Sequence, residues 1–171
     1  TNWAETTDIN NERIDGAGTG ISTATLFYGG GPPSEKAKTE TWNGSNWTEV
    51  NDLNTGRAYI EGSGIQTAAL GFGGYTLSPN AFTTATEEYD GTNWTSGGAL
   101  STARYNAAQG GVSTAGFVAG GQTSPSDAFT NTEEYNGASW TAGGALTAAR
   151  AGLSGTGTLT SGLAVTGHTP N

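Results

Sequence analysis

The chain has 171 residues and a net charge of -9, from 15 acidic and six basic residues, with 29 glycines, no cysteine and no methionine. Its basic residues, Arg13, Lys36, Lys38, Arg57, Arg104 and Arg150, never cluster, so no basic stripe exists for a nucleic-acid groove. The absence of Cys excludes disulfides, thiolate metal sites and cysteine nucleophiles, and no apolar run approaches the ~20 residues of a membrane-spanning helix.

No secretory signal pattern is visible. Thr1 is not a translation start in a chain without Met, so the expectation is a processed chain or a piece of a longer one. The glycines are periodic and interleaved with Trp, Tyr and Leu. That arrangement predicts many tight turns rather than disorder.

Taken in chain order, the sequence is one unit written four times. Aligned on Trp3, Trp47, Trp94 and Trp140, the spacings are 44, 47 and 46 residues. Six positions after each Trp stands Ile9, Leu53, Leu100 or Leu146, and ten after stands Arg13, Arg57, Arg104 or Arg150. Seventeen after stands Gly20, Gly64, Gly111 or Gly157, and 27 after stands Gly30, Gly74, Gly121 or Gly167. Fixed self-similarity at this period is the signature of a repeat architecture.

Within a unit, the stretch after the Arg predicts an inner hairpin. In the second copy its strands fall at 57–62 and 68–72, the turn at 64–67, and Gly73-Gly74 closes it. Gly and Ala there allow neighbouring backbones to approach closely. A segment of varying length follows, at 31–38, 75–85 and 122–131. Then comes Thr39-Glu40-Thr41-Trp42-Asn43-Gly44, Thr86-Glu87-Glu88-Tyr89-Asp90-Gly91 or Thr132-Glu133-Glu134-Tyr135-Asn136-Gly137, leading to the next Trp. Asn-Gly and Asp-Gly between β-prone runs predict an outer hairpin with a type I′ turn. Four short strands per unit result, with no sustained helical period, so the fold class is all-β.

The order Arg, small-residue strand, Gly-Gly, Glu-x-Tyr-Asp, Trp resembles the kelch repeat over essentially the whole chain. The nearest copies run from Gly73-Gly74 through Tyr89-Asp90 to Trp94 and from Gly120-Gly121 through Tyr135-Asn136 to Trp140. The units are shorter than typical kelch units. The Gly/Thr/Ala/Asn-rich wording is also similar to kelch-like repeats of phage structural proteins, marine phages especially. The resemblance implies a β-propeller of four-stranded blades, the first strand at the axis and the fourth outside. It implies units of about 13–50, 57–97, 104–143 and 150–167, the last blade shared with residues 1–8 at the N-terminus. It leaves open a four-bladed ring, an eight-bladed ring from two chains, or completion by a longer parent chain, with self-association favoured. Kelch propellers serve mostly as interaction platforms, and some scaffold oxidases, so the resemblance alone does not set function.

Trp3, Trp47, Trp94 and Trp140 are expected to pack unit against unit, with sugar stacking the alternative. Arg13, Arg57, Arg104 and Arg150 are expected to pair with the repeat carboxylates, candidates being Glu40, Glu87 and Glu133, since buried charge must be paired. An anionic ligand is the alternative. Trp42, Tyr89 and Tyr135 read as core. The single histidine, His168, reads as an exposed tail residue without a second His to share a metal. A copper-radical site cannot be assembled without Cys. Asp90-Gly91 puts the Gly directly after the Asp, unlike a sialidase Asp-box, and adjacent Glu87-Glu88 or Glu133-Glu134 point to opposite faces of a strand. No enzyme, cofactor or metal is therefore expected.

The variable segments are the expected recognition elements. Tyr75, Asn80 and Phe82 sit in one, Asp127 and Phe129 in another, and aromatics beside amide and carboxylate groups suit a protein or surface glycan. For Phe82 and Phe129 the favoured reading is that they fold back to cover the blade edge, because an exposed Phe is costly without a partner. The expected role is a structural and binding module, virion or cell-surface and extracellular, in a homo-oligomer or larger assembly. The second reading is a lectin-like propeller with repeated pockets.

Overall fold

The structure, a computed structural model, describes residues 5–31 and 36–169, and among them there is no helix. The fold is all-β, a series of small antiparallel sheets following the sequence repeat. The first sheet is the meander β1 (Ala17–Ile21), β2 (Ala24–Tyr28), β3 (Thr39–Trp42) and β4 (Trp47–Val50). The second is built from β5 (Glu61–Ile65) and β6 (Ala68–Phe72), then, after the short hairpin β7 (Tyr75–Leu77) and β8 (Asn80–Phe82), from β9 (Thr86–Tyr89) and β10 (Trp94–Ser96). The third repeats this with β11 (Ala108–Val112), β12 (Ala115–Ala119), the hairpin β13 (Gln122–Ser124) and β14 (Asp127–Ala128), β15 (Thr132–Tyr135) and β16 (Trp140–Ala142). The fourth unit is a two-stranded sheet, β17 (Ala151–Thr158) and β18 (Ser161–His168).

The first strands of successive units lie side by side, β5 between β1 and β11, and β17 against β11. Glycine permits this approach. A Cβ on Gly155 of β17 would come within 2.3 Å of the Gln109 backbone in β11. The apolar core is divided between the units. Leu26 and Tyr28 of the first sheet bury against Ile60, Tyr89 and Trp94 of the second. Leu70 and Phe72 repeat this against Ala107, Tyr135 and Trp140.

Three local expectations need correction. The inner strand of the second unit begins at Glu61, not Arg57. Tyr59 holds φ at 54°, as Asp15, Asn106 and Gly152 do at the aligned positions (58°, 56° and 66°), and this left-handed residue breaks the extended backbone, so the ladder to β6 starts at Glu61 opposite Phe72. The outer turns are not two-residue type I′ turns. Trp42 pairs with Trp47, leaving four residues between them. Only Gly44 there has positive φ, and the Asn43 side chain accepts from the N–H groups of Ser45 and Asn46, both at 2.9 Å. That side-chain cap replaces the second left-handed residue. The segments 75–85 and 122–131 are not open loops, since each folds into its own hairpin.

Trp3 lies outside the described residues. The following segment joins no strand but lies on the first sheet: Thr7 Oγ1 donates to the Ser45 carbonyl (3.3 Å) and Trp47 Nε1 to the Thr7 carbonyl (3.2 Å). His168 is no tail residue: it ends β18, exposed, opposite Ala151.

Candidate functional site

The repeat Arg and Glu residues meet in three buried nodes. Arg13 pairs with Glu40 at 2.6 Å, Arg57 with Glu87 at 2.9 Å and Arg104 with Glu133 at 2.7 Å. In each, a second carboxylate oxygen accepts a backbone N–H from the segment leading into the first strand, Asn10, Asn54 or Ser101, at 2.7 Å. The spare guanidinium donors go to main-chain carbonyls, Ala85 for Arg57 (2.8 Å) and Gly120 for Arg104 (2.8 Å). Burial works against the Glu40 charge, but the Asn10 N–H, the Arg13 guanidinium and further donors outweigh it and hold this carboxyl below the usual range. Burial holds the Arg57 guanidinium below its usual range, an effect that Glu87 opposes. These groups are spent on one another, which ties the third strand of each sheet to the start of its first. Arg150 differs, being exposed, with one guanidinium contact to the Gly167 carbonyl at 3.4 Å.

The Trp residues work between units. Trp94 Nε1 donates to Thr39 Oγ1 (3.1 Å) and Trp140 Nε1 to Thr86 Oγ1 (2.9 Å), while the Trp94 ring lies tilted against Tyr28 (centroids 4.8 Å) and the Trp140 ring edge-on to Phe72 (4.9 Å). Trp47 is only half-buried. Tyr89 and Tyr135 are buried, and the Tyr135 hydroxyl donates to Glu88.

The recognition residues separate into two groups. Tyr75 and Phe82 face each other at 5.2 Å across the β7–β8 hairpin. Phe82 lies parallel to Tyr105, centroids 4.7 Å apart and planes 4° from parallel, and Tyr105 meets Tyr59 at 5.5 Å. Four aromatic rings thus form one continuous surface, with Tyr59 43% exposed at its rim. The Tyr105 hydroxyl accepts from Gln122 Nε2 at 3.0 Å. Asn80 is exposed at the tip of the same hairpin.

Asp127 and Phe129 do not join this surface. The Asp127 carboxylate accepts from the Thr123 hydroxyl (2.7 Å) and from the Thr123 and Ser124 N–H groups within its own hairpin. Those bonds, the one from the Thr123 hydroxyl foremost, hold it below the usual carboxylate range. Phe129 lies beneath the Arg104 guanidinium at 5.6 Å, so it folds back rather than presenting its ring.

Sequence reasoning missed Tyr59 and Tyr105. The available signal was an aromatic at Tyr59, where the other copies carry Asp15, Asn106 and Gly152. A bulky side chain in left-handed backbone is a costly placement that the surroundings must hold.

It also missed Glu61, a buried carboxylate in β5 accepting the Ala107 N–H at 2.9 Å. Burial raises its pKa to about 7. The folded protein therefore holds this proton more tightly than the unfolded chain. The resulting stability is complete below the ordinary carboxylate pKa and lost as pH rises through about 7. Glu61→Gln keeps the acceptor and removes the titration. Denaturant unfolding at pH 8 should find it more stable than the parent by about 2–3 kcal/mol, with the gap closing at pH 4. A gap independent of pH would reject the assignment.

Among the described residues no group of three or more His, Asp or Glu side chains is placed to hold a metal ion. No helix there is long and apolar enough to cross a membrane. No protein-family model matches the chain, and no curated protein matches it.

Proposed function

We propose that the chain is a non-catalytic structural and binding module, an arc of kelch-like propeller blades on a virion or cell surface that presents its extra hairpins for attachment. Three successive four-stranded meanders with their first strands side by side support the blade reading. The observation that carries the binding reading is the surface of Tyr59, Tyr75, Phe82 and Tyr105. Clustered aromatic rings, with an exposed amide, Asn80, on the same hairpin, match the chemistry of a sugar ring, with its apolar C–H face and peripheral hydroxyls. Among the described residues this surface occurs once, between the second and third units, so the expected stoichiometry is one ligand per chain. The repeat carboxylates are engaged by arginines, which leaves them to the framework rather than to acid–base chemistry.

A glycan array supplies the test. Phe82→Ala removes the central ring at a cost of about 1 kcal/mol in stability and is expected to abolish the array signal with the fold retained. Binding that persists when 75–85 is replaced by a short Gly-Ser linker would sink the proposal.

A further inference from the structure

We infer that the fourth unit is a docking site for a β-hairpin of the repeat's own outer-half chemistry, Thr-Glu-x-aromatic, a turn, then x-x-Trp, which would add two strands to the free edge of β18. This inference is independent of the attachment reading.

Three observations converge on it. The first is charge. Three of the four repeat arginines bind a glutamate on the third strand of their sheet, whereas Arg150 is exposed and has no carboxylate partner among the described residues. Thr147 holds the position of Asn10, Asn54 and Ser101, whose N–H groups bind that glutamate elsewhere. Thr147, Arg150, Leu146 and Leu153 line a cavity of about 480 Å³. The cavity has the donors of the other nodes and lacks only the acid.

The second observation is on the third sheet. The interior interfaces use Thr39 and Thr86 as acceptors for a Trp Nε1, and Glu88 as acceptor for a Tyr hydroxyl. Thr132 and Glu134 are the next copies of those acceptors. Thr39 and Thr86 are buried, but Thr132 is half-buried and Glu134 exposed, and both line a second cavity of about 330 Å³ with Phe117 and Gly162. An incoming Tyr and Trp would fill it as Tyr89 and Trp94 fill the space beside the first sheet.

The third observation is register. β6 and β12 each hydrogen-bond a third strand, with Gly71 opposite Glu87 and Val118 opposite Glu133. Among the described residues β18 pairs only with β17. By alignment Ala164 takes the glutamate, Gly162 the aromatic and Val165 the threonine. Strand addition to a free edge supplies main-chain hydrogen bonds, and the side-chain sockets supply selectivity.

The probe is a synthetic peptide with the sequence of residues 84–97, titrated into the whole chain by calorimetry, with amide exchange followed in β18. The expected result is one peptide per chain, slowed exchange at 162–165, and affinity weakened at least about tenfold both by Glu87→Gln in the peptide and by Arg150→Ala in the protein. The peptide variant keeps the test decisive should Arg150→Ala perturb the fold. Absence of binding up to about 1 mM peptide overturns the inference, as does equal affinity for the Glu87→Gln peptide. Protection at 162–165 that grows with protein concentration alone assigns the edge to a second copy of the chain and also overturns it.

Discussion

Glu87→Ala will destabilise the fold by about 3–5 kcal/mol. Glu87 is 3% exposed and accepts from Arg57 at 2.9 Å, from the Asn54 N–H at 2.7 Å and from Asn54 Nδ2 at 2.8 Å. Truncation leaves the Arg57 guanidinium, itself fully buried, without a counter-charge. The penalty comes from that orphaned charge more than from the lost bond, because neither partner is cheap to desolvate. The double variant Arg57→Met, Glu87→Leu should therefore recover much of the loss, which chemical denaturation in a double-mutant cycle can measure. The exposed Glu134, at the position next to the third node's Glu133, provides the control, and its Ala variant should lie within about 0.5 kcal/mol of the parent. A loss below about 1 kcal/mol for Glu87→Ala would mean that water reaches the guanidinium and that the node carries little of the fold.

Trp94→Ala is expected to cost a similar amount, about 3–5 kcal/mol, by a different route. Its ring lies 4.8 Å from Tyr28 of the first sheet and 5.1 Å from Tyr89 of its own, and Nε1 donates to Thr39. Removing it empties the space between two sheets. Trp94→Phe keeps most of the apolar area and should lose about 1–2 kcal/mol, chiefly through the unsatisfied Thr39 contact and the smaller ring. Trp47 occupies the same place in the repeat but is half-buried and donates to Thr7, so Trp47→Ala should cost clearly less. Equal losses at Trp47 and Trp94 in thermal unfolding would show that the unit interface is not where this stability resides.

The repeat made the sheets legible because its side chains recur for structural reasons at fixed spacing. The Arg–Glu nodes followed from the rule that buried charge needs a partner, and the aligned Glu40, Glu87 and Glu133 left few choices. Strand starts were misplaced because the left-handed backbone at Tyr59 carries no reliable side-chain mark, whereas Asp15, Asn106 and Gly152 at the same position do. The aromatic surface was half legible. Tyr75 and Phe82 stood out in a segment of varying length, but Tyr59 and Tyr105 join them across two units, a contact that spacing along one chain does not encode. Asp127 read as a presented group, yet short-range bonds to Thr123 absorb it, whereas Phe129 folds back under the Arg104 guanidinium as the favoured reading of that residue had it. Glu61 was hidden because its aligned neighbours, Ala17 and Ala108, suggest nothing but close packing.

The ion pairs and the tryptophans divide their labour in a way that bears on how such a chain can change over time. Each Arg–Glu pair closes within one unit, while each Trp–Thr bond joins one unit to the unit before it. A duplication or deletion of one whole period of 44–47 residues would therefore break no ion pair and would bring together two faces already matched. Copy number can drift by recombination between the aligned segments with the ion pairs and the Trp–Thr bonds kept. A single lost residue inside a unit has no such escape, because it shifts the Glu off its Arg and every side chain of that strand to the opposite face.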